Sequence, residues 1–155
     1  MTQLSANFTL SELTKSADAL RKGLDNTPTQ AIIDNLSLLT TAILQPVRNN
    51  YGASMTINSG YRSLAVNASV GGSATSDHCK GMAADIEIVG VDNATLAKYI
   101  ADNYDFTQII LEFYTAGIPD SGWVHVSYDK SNLKKQVLTA VKRDNKTVYL
   151  PNLVI

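Results

Sequence analysis

Between Thr27 and Val47 the residues Ile32, Ile33, Leu36, Leu39, Ile43, Leu44 and Val47 recur at three- and four-residue steps. That spacing places them on one face of an α-helix. An apolar stripe of this kind has to be covered by another layer. The rest of the chain offers one: short runs rich in β-branched and apolar residues at Met55–Asn58, Met82–Val89, Thr107–Phe113 and Trp123–Tyr128. Helices first, then strands mixed with helices, argue for an α+β fold: a small, mainly antiparallel sheet with helices packed on one face.

Local signals refine the expected elements. Thr9 and Glu12 have capping-box spacing, so a short helix starts at Leu10. Gly23 and Asn26 mark a loop, and Thr27 before Pro28 reads as the start of the long helix. Pro46 should kink or end that helix, and Gly52 closes the region. Leu64 to Ala68 reads as a short helix, followed by a small-residue loop from Gly71 to Ser76. Ala94 to Tyr104 reads as a helix capped by Asp92 or Asn93. Residues 136–142 and 147–150 flank Asp144-Asn145 and read as a hairpin, although Lys146 rather than glycine follows the turn. At 155 residues the expectation is one domain: N-terminal helices over 9–52, a catalytic core over 53–130 and a C-terminal hairpin over 134–151.

Bulk properties exclude several classes of function. A formal net charge of −1 gives no electrostatic case for nucleic acid. The one cysteine, Cys79, rules out an internal disulfide. No apolar run approaches the roughly 20 residues of a membrane span, so no membrane insertion is expected. The opening MTQLSANFTLSEL lacks a basic segment followed by an apolar core, so it is not read as a secretory signal.

The chemistry concentrates around the only two histidines. His78 lies in Ser76-Asp77-His78-Cys79-Lys80-Gly81-Met82-Ala83-Ala84-Asp85, and His125 in Trp123-Val124-His125-Val126-Ser127. Imidazole and carboxylate are good zinc ligands, and three protein ligands leave a fourth position for water. By residue type alone this set is weak, because unrelated surface residues often match it.

The flanking residues add specificity. Ser59-Gly60-Tyr61-Arg62-Ser63, Asn67, Gly71-Gly72, the Ser76-to-Asp85 segment and Trp123-x-His125-x-Ser127 occur in that order. Together with Phe8 to Leu13 and Ile110-Leu111-Glu112, they resemble the M15 family of zinc peptidases, and most closely its short phage- and prophage-associated branch. That family includes D-Ala-D-Ala carboxypeptidases and endolysins that cut L-alanyl-D-glutamate bonds. The resemblance implies Zn2+ held by His78, Asp85 and His125, with Arg62 facing the substrate and Ser76 contacting it or shaping the ligand loop. It implies a peptidoglycan stem peptide as partner. With no signal peptide, it implies synthesis in the cytoplasm and delivery to the wall by a holin or phage. A monomer is expected.

One departure changes the expected mechanism. Many family members carry a histidine or glutamate base two or three residues before the last ligand, where this chain has Gly122 and Trp123. Glu112, ending an apolar strand, takes that place if its strand pairs beside Trp123–Ser127, and relatives lacking the usual base often carry a glutamate there. Glu112 would then accept a proton from zinc-activated water and Arg62 would stabilise the oxyanion or bind a carboxylate.

Plainer readings stand beside these. Arg62 could pair with Asp77 or Glu87 instead, and Glu112 could be an ordinary strand end. Asp77 and Glu87 are rival bases. Cys79 is a second-choice ligand or a small buried hydrophobe. Tyr61 and Trp123 read as cleft walls that contact substrate, or as core. Gly71-Gly72 is no phosphate loop, because no GK[ST] follows. A zinc-stabilised, non-catalytic module that binds peptidoglycan, or that serves as a phage structural part, is the rival to the enzyme, and a peptidase for ordinary L-peptides is a third reading.

Overall fold

The computed structural model describes residues 2–155. Two short strands, β1 (Gln3–Ser5) and β2 (Phe8–Thr9), pair with each other and lead into helix α1 (Leu10–Thr14). The Thr9–Glu12 capping box is formed in both directions. Helix α2 (Ala17–Lys22), capped by Ser16, has no counterpart in the sequence expectations, because six residues are too few to show a periodicity. The long helix begins later than expected. Thr27 is spent on Asp25, to which both its amide and its hydroxyl donate, and Thr29 instead caps α3 (Gln30–Leu39).

Pro46 neither ends nor sharply breaks the run. Thr40–Leu44 form a π-helical turn, closed by the Gln45 N–H on the Thr40 carbonyl, and α4 (Gln45–Tyr51) follows directly with Pro46 in its first turn. The wider turn accommodates a ring that would otherwise press on the preceding carbonyls.

The main sheet comprises β3 (Met55–Ser59), β4 (Ala83–Ile88), β5 (Gln108–Glu112), β6 (Trp123–Ser127), β7 (Gln136–Arg143) and β8 (Lys146–Pro151), in the order β3-β4-β6-β5-β7-β8. Every neighbouring pair is antiparallel except β5 and β7, which run parallel. Helix α5 (Leu64–Ser69) follows β3, a 3₁₀ turn at Asp77–Lys80 precedes β4, and α6 (Asn93–Asn103), capped by Asp92, links β4 to β5. Asp144 and Asn145 both take positive φ, 51° and 62°, which makes the β7–β8 hairpin turn without a glycine.

Alternation along the strands sorts the two faces of the sheet. Ile57, Ala84, Ile86, Ile88, Ile109, Leu111, Val124 and Val126 enter one core with Leu36, Leu39, Ile43, Leu44 and Val47 of the long helical run and Leu96, Ala97 and Ile100 of α6. Asp85, His125, Ile110 and Glu112 alternate with those residues and line the opposite face. The molecule is thus α+β with its helices under one face of the sheet. None of the helices among the described residues is long and apolar enough to cross a membrane.

Candidate metal centre and active-site cleft

Cross-strand register brings the candidate ligands together. Ser59 lies opposite Asp85, Asp85 opposite His125, and His125 opposite Ile110, so one row runs across four strands. His78 arrives from the 3₁₀ turn, where the Ser76 hydroxyl caps its amide at 3.2 Å. One donor atom from each of His78, Asp85 and His125 lies within 4.8 Å of the others, and all three residues are buried. The Asp85 Oδ1 stands 3.3 Å from His78 Nε2 and 3.2 Å from His125 Nδ1.

The Ser-Gly-Tyr-Arg segment fixes the orientation of His78. The Gly60 carbonyl accepts from His78 Nδ1 at 2.7 Å, and the Arg62 amide donates to the His78 carbonyl at 3.2 Å. Only glycine fits at position 60, because a Cβ would lie 2.2 Å from the Leu13 carbonyl oxygen. A carbonyl can only accept, so Nδ1 donates to Gly60 and Nε2 is the nitrogen turned toward Asp85. That nitrogen stands 3.3 Å from the Asp85 carboxylate. With His125 beside them, these residues make a nitrogen and oxygen donor set that suits zinc, and the Gly60 carbonyl orients His78 as an outer partner of a ligand does.

Electrostatics point the same way. Burial opposes the charge on Asp85, but hydrogen bonds and charge from His125 and His78 prevail and hold its carboxyl well below the usual range. Burial likewise opposes protonation of His125, and the Asp85 carboxylate outweighs it, so this imidazole holds a proton more tightly than usual.

The ligands sit in a cleft of about 690 Å³. Arg62 lines one wall without a carboxylate partner among the described residues. Its Nε donates to Asn67 Oδ1 at 3.2 Å and its Nη1 to Ser59 Oγ at 3.0 Å, so Nη2 is left for a ligand. The ion pair with Asp77 or Glu87 is not formed. Asp77 pairs with Lys80 at 3.8 Å, and Glu87 accepts from Asn58 and Asn93 beyond the cleft. Asn67 is buried, and its Nδ2 holds the Ser73 carbonyl at 2.6 Å, which ties Arg62 to the small-residue loop.

Glu112 ends β5 directly opposite Trp123, with its Oε2 accepting from the indole N–H at 2.8 Å. Burial first, and then the charge of Asp85, raise its carboxyl above the ordinary range against the pull of His125, Trp123 and Arg62. The chain turns sharply after it: Phe113 has φ 55°, and a Cβ on Gly122 would lie 1.9 Å from the Glu112 carbonyl oxygen.

Ser76 and Trp123 line the cleft. Tyr61 does not; it is buried among core residues, the other of its two readings, with its amide donating to the Leu13 carbonyl. Cys79 also stays off the cleft wall, and burial pushes its thiol up. The cleft contains residues that the sequence did not single out: Lys134, Lys142, Thr147 and Tyr149, from the hairpin and its approach. The hairpin itself was expected, but the parallel pairing that carries it beside Glu112 was not.

No curated protein matches the chain. The sequence profile of the Peptidase M15 family matches residues 6–127, a span that includes both histidines, Asp85, Arg62 and Glu112. On that match over most of its length, the chain belongs to the peptidase M15 family and so to the metallopeptidases.

Proposed function

We propose that this protein is a zinc peptidase that hydrolyses a peptide bond in the stem peptide or cross-link of bacterial peptidoglycan. The observation that carries the reading is the convergence of one donor atom from each of His78, Asp85 and His125 within 4.8 Å, in a cleft that Glu112 also lines. His78, Asp85 and His125 would hold the ion. When bound, zinc supplies Lewis-acid polarisation of a carbonyl and a water acidic enough to react near neutral pH. Glu112 takes a proton at Oε1, since Oε2 is engaged by Trp123, and returns it to the departing amine. The free Nη2 of Arg62 binds the carbonyl oxygen as negative charge develops, or a carboxylate of the substrate.

The motif resemblance supports a place in the phage- or prophage-associated branch, and that place in turn suggests delivery to the wall by a holin or phage. The test is hydrolysis of a D-Ala-D-Ala-ended peptide, an L-Ala-D-Glu stem fragment and casein, with and without a chelator. Chelator-sensitive cleavage of either wall fragment but not casein is the expected result. A zinc-bound protein inert on every fragment would replace the enzyme with a binding module.

A further inference from the structure

The two walls of the cleft differ in origin. Arg62 and Ser76 lie in the segment shared with the family, whereas the opposite wall is the β7–β8 hairpin, beyond residue 127 where the match ends. Ala140 of β7 pairs with Glu112, and Tyr149 of β8 pairs with Ala140. Trp123, Glu112, Ala140 and Tyr149 therefore form one row, with a single methyl group between the carboxylate and the phenol. Lys142 stands two residues beyond Ala140 on the same face and lines the cleft.

Both side chains are available to a ligand. The Lys142 ammonium lies 5.5 Å from the centre of the Phe113 ring and pairs with no carboxylate among the described residues. Tyr149 is 53% exposed, and its hydroxyl has no protein partner among the described residues. The charges of the lining indicate the ligand. Arg62, Lys134 and Lys142 face Asp77, Asp85 and Glu112, so a divalent ion makes the cleft positive. Without the two lysines the same lining plus that ion would be neutral, so the excess charge comes from the hairpin side.

We propose that the hairpin is a substrate subsite, in which Lys142 and Tyr149 bind a carboxylate of the peptide. This rests on the peptidase reading above. By register His125 shares a row with Leu138, so Lys142 lies two strands across and four residues further along, roughly 16 Å between backbones at ordinary strand spacing and rise, and an extended peptide covers that in about five residues. The carboxylate recognised is therefore within about five residues of the bond cut. It is either a C-terminal carboxylate or the α-carboxylate of an internal glutamate.

Calorimetry on the zinc-loaded full chain carrying Glu112→Gln measures binding without turnover. The probes are an acidic stem tetrapeptide, its C-terminal amide and its internal-glutamate amide. One of the two amides should bind about tenfold or more weaker than the acid, the effect of losing a charge-assisted hydrogen bond. Adding Lys142→Met should weaken the acid by a similar factor and erase its advantage over that amide, and Tyr149→Phe should remove part of it, with unchanged melting temperatures. If both amides bind like the acid, if Lys142→Met preserves the discrimination, or if no probe binds, the subsite is overturned. Wild-type turnover on the same probes separates the two proposals. Cleavage with Lys142→Met indistinguishable from wild type removes the subsite alone. Discrimination in binding without any cleavage removes the peptidase reading and leaves the subsite.

Discussion

At the scale of single residues, Glu112 and Arg62 separate chemistry from support. Glu112→Gln retains size and can still accept from the Trp123 indole. It should keep zinc and fold while turnover falls by about 10²–10⁴-fold, the range for losing a general base, and it should also lose the acid limb of the wild-type rate profile. The metal-free protein gives a second reading of the same carboxyl. Its folded pKa is raised, by burial and then by Asp85, so the stability it contributes is present below the unfolded value and lost as pH rises through the folded one. Metal-free Glu112→Gln should therefore gain on wild type as pH rises across that window, and urea titrations at several pH values would show it. A constant difference would mean the carboxyl is not perturbed. Arg62 is held by two neutral acceptors, Asn67 and Ser59, and by no ion pair. Arg62→Ala should then fold with nearly the wild-type melting temperature and lose most of its kcat/KM. Arg62→Lys should rescue little, because an ammonium cannot bridge both acceptors and also offer a planar fork. An early-melting alanine variant with normal turnover would make Arg62 a structural residue.

At the scale of elements, the junction of β5 and β6 decides whether Glu112 faces the ligands. The turn is pinned from α6: the Asn93 side chain donates to the Ser121 and Gly122 carbonyls at 3.1 and 3.3 Å, and Tyr114 donates to Asp92 at 2.5 Å. Gly122 has φ 63° and no room for a Cβ. Gly122→Ala should force the Glu112 carbonyl away, lower the melting temperature and cut turnover, yet leave one zinc per chain, because His125 lies further along β6. Unchanged kinetics in that variant would show that the turn does not set the position of Glu112. These elements were legible in the sequence to different depths. The Thr9–Glu12 cap and the stripe from Ile32 to Val47 are local patterns, and the structure follows them. Thr27 and Thr29 are equivalent by residue type, and only the competing bond from Thr27 to Asp25 separates them. Pro46 reads as a break unless the π turn before it is known. The proximity of His78, Asp85 and His125 was suggested by motif spacing, whereas the choice between wall and core for Tyr61 depends on the bend over Leu13, a tertiary contact. Asn93 read only as a possible helix cap, Lys142 and Tyr149 carried no motif, and their roles follow from pairings that no local pattern encodes.

At the scale of the whole molecule, the metal would join segments that are far apart in sequence. His78 belongs to a turn after the small-residue loop, Asp85 to β4 and His125 to β6, and the last two strands already pair. The metal-free fold also has its own bridge, since Asp85 meets both rings at 3.2–3.3 Å. Chelation should consequently lower the melting temperature without unfolding the protein. A ligand that binds only the folded state adds about 2.7 kcal/mol at a hundredfold excess over Kd, a shift of several degrees for a chain of this size. The shift should depend on pH with a definite sign. Burial lowers the His125 pKa and Asp85 more than restores it, so the metal-free imidazole keeps its proton to higher pH than usual. Protons and zinc compete for that nitrogen. The loss of melting temperature on chelation should be full above the raised folded pKa of His125 and shrink as pH falls through it. His125→Ala should show no such shift at any pH, bind zinc weakly and be inactive. Calorimetric scans with and without chelator across that range provide the measurement. A wild-type shift that is independent of pH, or one that persists in His125→Ala, would place the metal elsewhere.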